Sequence, residues 1–132
     1  MSITIGTVTI NRNPSIGTIW HNERMNHQTE ITADGGRVTV DNGPTLLLGT
    51  IILRGVAKSE GDSLLTYLTG TAVLGKNSFT ITPPTGCDLG AGSGTAVTSA
   101  YWNGGNTTDG LLDMSPNSAL YTITFPYWQK VA

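Results

Sequence analysis

Apolar and polar positions alternate along much of this chain. From Ser2 to Ile10 the apolar residues are Ile3, Ile5, Val8 and Ile10, with one slip at Gly6-Thr7. A strand with a β-bulge at Gly6 accounts for that slip, since one extra residue restores the register. Asn13-Pro14 ends the pattern, because proline lacks the N–H and restricts its predecessor. Ile16 to Trp20 reads as a short extended piece, and Asn22 to Asn26 as loop. His27 to Ala33 and Arg37 to Asp41 flank Asp34-Gly35-Gly36, a strong hairpin signal. Asp41-Asn42-Gly43-Pro44 marks a second turn, and Thr45 to Val56 is a longer β-type run.

The period changes once. In SEGDSLLTYLTG, Leu64, Leu65 and Leu68 fall on one helical face. Ser59 suits an N-cap, Glu60 and Asp62 sit in the first turn near the positive end of the dipole, and Gly70 stands where a C′ glycine belongs. This predicts a short helix over about 60–69, with Tyr67 at the edge of its apolar face. Ser78 to Thr82 is a strand, Gly86 to Gly94 a loop, and Thr95 to Trp102 a further strand. Asn103-Gly104-Gly105-Asn106 is a turn and Thr107 to Asn117 irregular. Ala119 to Val131 closes the chain, with Leu120, Thr122 and Thr124 opposite Tyr121, Ile123 and Phe125. Pro126 demotes its later part to an edge strand or a bend. Neither a repeat nor a linker divides the sequence, so residues 1–132 are expected to form one mostly-β domain: an antiparallel β-sandwich or barrel flanked by one helix.

Composition narrows the function. Only 12% of residues are charged, with 7 Lys+Arg against 9 Asp+Glu. The basic residues are scattered, so the electrostatic footprint of nucleic-acid binding is missing. A typical soluble surface is about 25–35% charged. A chain this sparse in charge suits a β-rich protein covered by copies of itself or by other proteins, and equally an extracellular glycan binder. The opening MSITIGTVTI lacks the basic start, apolar core and cleavage site of a signal peptide. No apolar run approaches the roughly 20 residues that span a bilayer. These features lead us to expect a soluble chain made in a reducing compartment, with no membrane or nucleic-acid partner.

Candidate chemistry is thin. Cys87 is the only cysteine, with no basic neighbour in sequence and Asp88 beside it, which favours a structural thiol. Gly90 to Thr95, GAGSGT, lacks the Lys and the following helix of a phosphate cradle. His21 and His27 are six apart around Glu23, and Asp88, Asp109 and Asp113 follow no calcium-loop pattern, so neither set is read as a metal site. Asn106-Thr107-Thr108 matches a glycosylation sequon, which we read as chance. No catalytic, cofactor or metal residue is assigned. The aromatic residues Trp20, Tyr101, Trp102, Tyr127 and Trp128 are the candidates for contact, either with a neighbouring subunit or with sugar faces, core packing being the plainer reading.

The order of these features resembles the small β-domains of bacteriophage minor tail and tail-tip proteins, distal-tail ring domains in particular. In those a helix like Ser59 to Gly70 precedes a strand ending in a phrase of the form Phe-Thr-x-x-Asp-Pro-x-Gly. Phe79, Thr80, Pro84 and Gly86 match that phrase, and Thr82-Pro83 stands where its acidic residue lies. The closing LYTITF is similar to the last strand of such domains. The resemblance spans nearly the whole chain and implies a β-sandwich or barrel flanked by one helix. It also implies assembly into a ring with copies of itself and with other virion tail proteins, at the tail tip, baseplate or tail–head junction. On this reading the protein works in the virion, is assembled in the bacterial cytoplasm, is not an enzyme and needs no cofactor. A carbohydrate-binding β-sandwich and a capsid decoration protein are the alternatives.

Overall fold

The computed structural model describes residues 1–24, 27–41, 44–114 and 120–131, with residues 24, 27–30, 38–41 and 114 as backbone alone. The strands in chain order are β1 (Ile3–Ile5), β2 (Val8–Ile10), β3 (Ile19–Arg24), β4 (His27–Ile31), β5 (Arg37–Asp41) and β6 (Thr45–Ala57). The helix α1 (Lys58–Gly70) follows, then β7 (Phe79–Thr82), β8 (Val97–Trp102), β9 (Leu112–Met114) and β10 (Leu120–Lys130). The mostly-β fold with a single helix among the described residues is as expected.

The slip at Gly6-Thr7 is a hairpin turn, not a bulge. Ile3 pairs with Ile10 and Ile5 with Val8. Gly6 takes φ +61°, in the glycine-first pattern of a type II′ turn. A two-residue loop leaves residues 3, 5, 8 and 10 on one face, as a bulged single strand does, so alternation alone does not separate the two. The ring of Tyr67 occupies the space a side chain at Gly6 would need.

The sheet runs β2-β1-β7-β8-β10-β6-β3, with β9 also on β10, and all its pairings are antiparallel. It folds over through β8, which pairs with β7 at Val97 and Ala100 and with β10 at Tyr101 and Trp102. The two halves face each other: Phe79 of β7 meets Phe125 of β10 edge-on, with ring centroids 5.8 Å apart. Between them lies one core of Ile3, Ile5, Ile51, Leu53, Ile81, Val97, Ile123, Phe125 and their neighbours. Among the described residues β2 and β3 end the path unjoined, which makes this a sandwich and not a closed barrel. The hairpin β4–β5 forms around Asp34-Gly35-Gly36 as predicted. The second turn, at Asn42-Gly43, lies outside the described residues, as do residues 115–119, which include the end of the stretch expected to be irregular.

Four local readings need correction. The strand β6 runs straight into α1, so the N-cap is Ala57, without a side-chain bond. Ser59 is already helical, and its carbonyl accepts from Ser63 Oγ at 2.9 Å. Gly70 is the last helical residue and not C′. Thr71 caps in a helical conformation, and the chain reverses at Val73, Leu74 and Gly75, all at positive φ. A short strand, β9, sits within the stretch read as irregular, held against Tyr121 to Ile123. Asn22 to Arg24 belongs to β3, paired with Thr45 to Leu47.

Pro126 does not weaken β10. The strand continues to Lys130, between β6 on one side and β8 on the other. In an antiparallel strand a residue's N–H and C=O point the same way. The Pro126 carbonyl accepts from Asn103 N–H at 3.1 Å, just past the end of β8. The missing N–H therefore faces the place where the ladder is already ending, and proline is tolerated there.

Candidate interaction surface

The strand β6, TLLLGTIILRGVA, explains how the sheet is lined. Leu47, Gly49, Ile51 and Leu53 are buried in the core, while Leu46, Leu48, Thr50 and Ile52 are only partly covered. The register carries this alternation across three strands. Trp20, Gly49, Tyr127 and Trp102 form one core-facing row, and His21, Leu48, Trp128 and Tyr101 form the next row on the outer face. The outer face also carries Ile19 and Pro126 beside Thr50, and Glu23 and Lys130 beside Leu46. It is apolar at its centre and charged at its margin.

The five aromatic candidates therefore separate. Trp102 is 3% exposed and Tyr127 is 0% exposed, so neither is a surface for sugar or subunit contact. Both lie within the core-facing row, whereas Trp20 ends it at the sheet edge. Trp102 Nε1 donates to the Thr107 carbonyl at 3.3 Å, and Tyr127 Oη donates to the Leu89 carbonyl at 2.6 Å. Gly49 lacks a side chain because the Tyr127 ring fills that space. Burial pushes the Tyr127 phenol well above its ordinary pKa, with the Cys87 and Asp88 side chains adding to it. Tyr101 and Trp128 stack on the outer face, with centroids 4.6 Å apart and planes within 16°. Trp20 sits at the sheet edge, 39% exposed.

Sequence reading missed two exposed isoleucines, one on β3 and one in the segment just before it. Ile16 is 93% and Ile19 62% exposed. The segment holding Ile16 is strapped along β6. Ser15 N–H donates to the Ile52 carbonyl at 2.7 Å, Ile52 N–H donates to Thr18 Oγ1 at 3.0 Å, and Arg54 Nη1 donates to the Ile16 carbonyl at 3.0 Å. The segment that carries this exposed isoleucine is thus held by three bonds, at the Ser15 and Ile16 backbone and the Thr18 hydroxyl. The signal was the run LLLGTIIL itself: a strand apolar on consecutive positions is apolar on both faces.

The remaining candidates resolve as structure. Asp88 Oδ1 accepts from Gly90 N–H at 2.7 Å and Gly92 N–H at 3.1 Å, and Gly94 and Thr95 N–H donate to the Cys87 and Gly92 carbonyls, so four amides of GAGSGT are bonded within the loop. Leu89 plugs the core, and the Leu47 side chain fills the space beside Gly90. Cys87 is partly buried against that core. Its thiol is pushed up in pKa by burial and then by Asp88. His21 Nε2 lies 3.9 Å from Glu23 Oε2, and the side chain of His27 lies outside the described residues. No group of three metal-ligating side chains occurs among the described residues. An open groove of about 890 Å³ runs between β2 and α1, lined by Thr7, Thr9, Glu60, Asp62, Ser63 and Thr66 among others. Four of its polar side chains are engaged: Glu60 accepts from Asn11 N–H, Asp62 from the Tyr121 hydroxyl, and Ser63 and Thr66 donate to their own helix.

No family model, curated protein or solved structure matches the chain.

Proposed function

We propose that this protein is a structural subunit that acts by assembling with copies of itself, as a ring or adaptor in the tail of a bacteriophage particle. The observation that carries the self-assembly is the outer face of β3, β6, β10 and β8. It keeps Ile19, Leu48, Ile52 and the Tyr101–Trp128 stack at least partly in contact with water. Contiguous apolar patches of this kind mark interaction sites, and a low-charge surface lowers the cost of covering them. Placement at the tail tip, baseplate or tail–head junction rests on the order of elements and the Phe79 to Gly86 phrase. The partners on this reading are other copies and neighbouring tail proteins, in particles assembled in the bacterial cytoplasm.

Electron microscopy of the purified, concentrated protein tests the ring. Class averages with rotational symmetry are expected, and uniformly monomer-sized particles would overturn it. A second reading, carbohydrate binding, is favoured by one observation: the Tyr101–Trp128 stack places two partly exposed aromatic side chains on the outer face. A glycan array decides between the two. Specific binding lost on Trp128→Ala, with the fold intact, would support sugar recognition. Trp102→Ala is unsuitable for this purpose because Trp102 is a core residue.

A further inference from the structure

Among the described residues β3 is the longest strand at an edge of the sheet. Ile51 lies opposite Phe125, whose bonding groups face β6, so residues 46, 48 and 50 of β6 bond towards β3. The bonds of Ile52 to Ser15 and Thr18 confirm that side. The bonded pairs of β3 are then Ile19–Thr50, His21–Leu48 and Glu23–Leu46. By strand alternation, the N–H and C=O of Trp20, Asn22 and Arg24 point outward. Among the described residues no strand meets them. Exposed edges are commonly blunted by lysine, proline, bulges or short length. Here the strand has six residues, without lysine or proline, and two exposed apolar side chains, Ile19 and Trp20.

We propose that the outer edge of β3 pairs antiparallel with the same edge of a second copy, Asn22 opposite Asn22, joining two sheets across a two-fold axis. This rests on the self-assembly reading and names its contact. Side-chain complementarity selects the partner and the register. With Asn22 at the axis, all three outward residues pair, Trp20 with Arg24 of the second copy and the reverse. His21 of each copy then faces Glu23 of the other, in the closely spaced non-bonded position. His21 and Glu23 already share a face, 3.9 Å apart within one chain, so the contact makes an alternating four-group cluster. Moving the axis to Glu23 sets two carboxylates against each other, and moving it to His21 sets Ile19 against Glu23. Opposite charges across strands stabilise and like charges destabilise. Such a contact is isologous, so a ring built from these pairs needs a second contact, for which the apolar outer face is available.

Asn22→Pro removes an N–H that serves no internal bond, and edge positions tolerate proline. Two bonds cross the axis at Asn22, so the substitution should weaken the pair by about tenfold or more in sedimentation velocity. His21→Glu should weaken it as well, and His21→Glu with Glu23→Lys should restore it. Circular dichroism and thermal melting check that each variant folds. If Asn22→Pro does not fold, the charge pair decides alone. A wild-type oligomer unchanged in these variants would overturn the β3 contact while leaving self-assembly standing. A wild-type protein that stays monomeric would remove the self-assembly reading, and this contact with it.

Discussion

Leu68→Ala tests how the helix is held. Leu68 and Leu64 are fully buried, one helical turn apart, and α1 packs against β2, β6 and β10. A helix of 13 residues is marginal alone and persists through such packing. Truncation removes three carbons, worth about 2 kcal/mol in transfer free energy at about 0.8 kcal/mol each. Strands on one side and the helix backbone on the other limit collapse of the space, so a cavity term adds about 1–2 kcal/mol. The expected loss is about 3–4 kcal/mol, a large share of the roughly 5–15 kcal/mol a domain holds. Thr66 is the control: it is exposed, and its hydroxyl donates to the Asp62 carbonyl at 3.0 Å. Alanine there loses that back-bond and gains helix propensity, for a net change within about 0.5 kcal/mol. Urea denaturation of both variants, with unchanged slope, gives the comparison. Equal small losses would mean that α1 does not seal the core.

Tyr127→Phe should cost about 1–3 kcal/mol in the same assay, because it leaves the Leu89 carbonyl without its buried donor. Two glycines should respond in opposite directions. Gly49→Ala collides with the Tyr127 ring and should lose about 1–3 kcal/mol, whereas Gly70→Ala meets open space at the helix end and should gain up to about 1 kcal/mol. Cys87→Ser should cost about 1 kcal/mol or less and leave assembly intact; loss of assembly would assign the thiol a role. Burial raises both the Tyr127 and the Cys87 pKa. At alkaline pH the folded chain therefore keeps protons that the unfolded chain releases. Their contribution is fully present below about pH 8.5 and declines as pH rises past the ordinary thiol and phenol values. Melting temperature against pH should fall in that range, and a flat profile would contradict the burial of these groups.

Period and punctuation made most of the elements legible. Glycine pairs located the β4–β5 hairpin, and the leucine spacing located α1. What escaped depends on neighbours distant in sequence. The Gly6-Thr7 turn and a bulge give the same inward set, so only the partner strand separates them. Ser59 makes a good N-cap by chemistry, but pairing of Ala57 with Leu120 carries the strand further and starts the helix earlier. Pro126 reads as a breaker until the end of β8 is placed beside it. Of the five aromatic candidates, Trp102 and Tyr127 went to the core because the sheet register puts them opposite each other on its inner face. The exposed Ile16 and Ile19 carry no local signal, since exposure follows from where a strand lies in the sheet. The doubly apolar β6 was the available clue to the outer surface.

The molar mass in solution tests the central claim most directly. Multi-angle light scattering on the eluting wild-type protein, from sub-micromolar to tens of micromolar, should show a mass well above the 13.9 kDa of one chain, rising with concentration to a fixed multiple. A constant mass of one chain across that range would contradict assembly as the function of the exposed sheet.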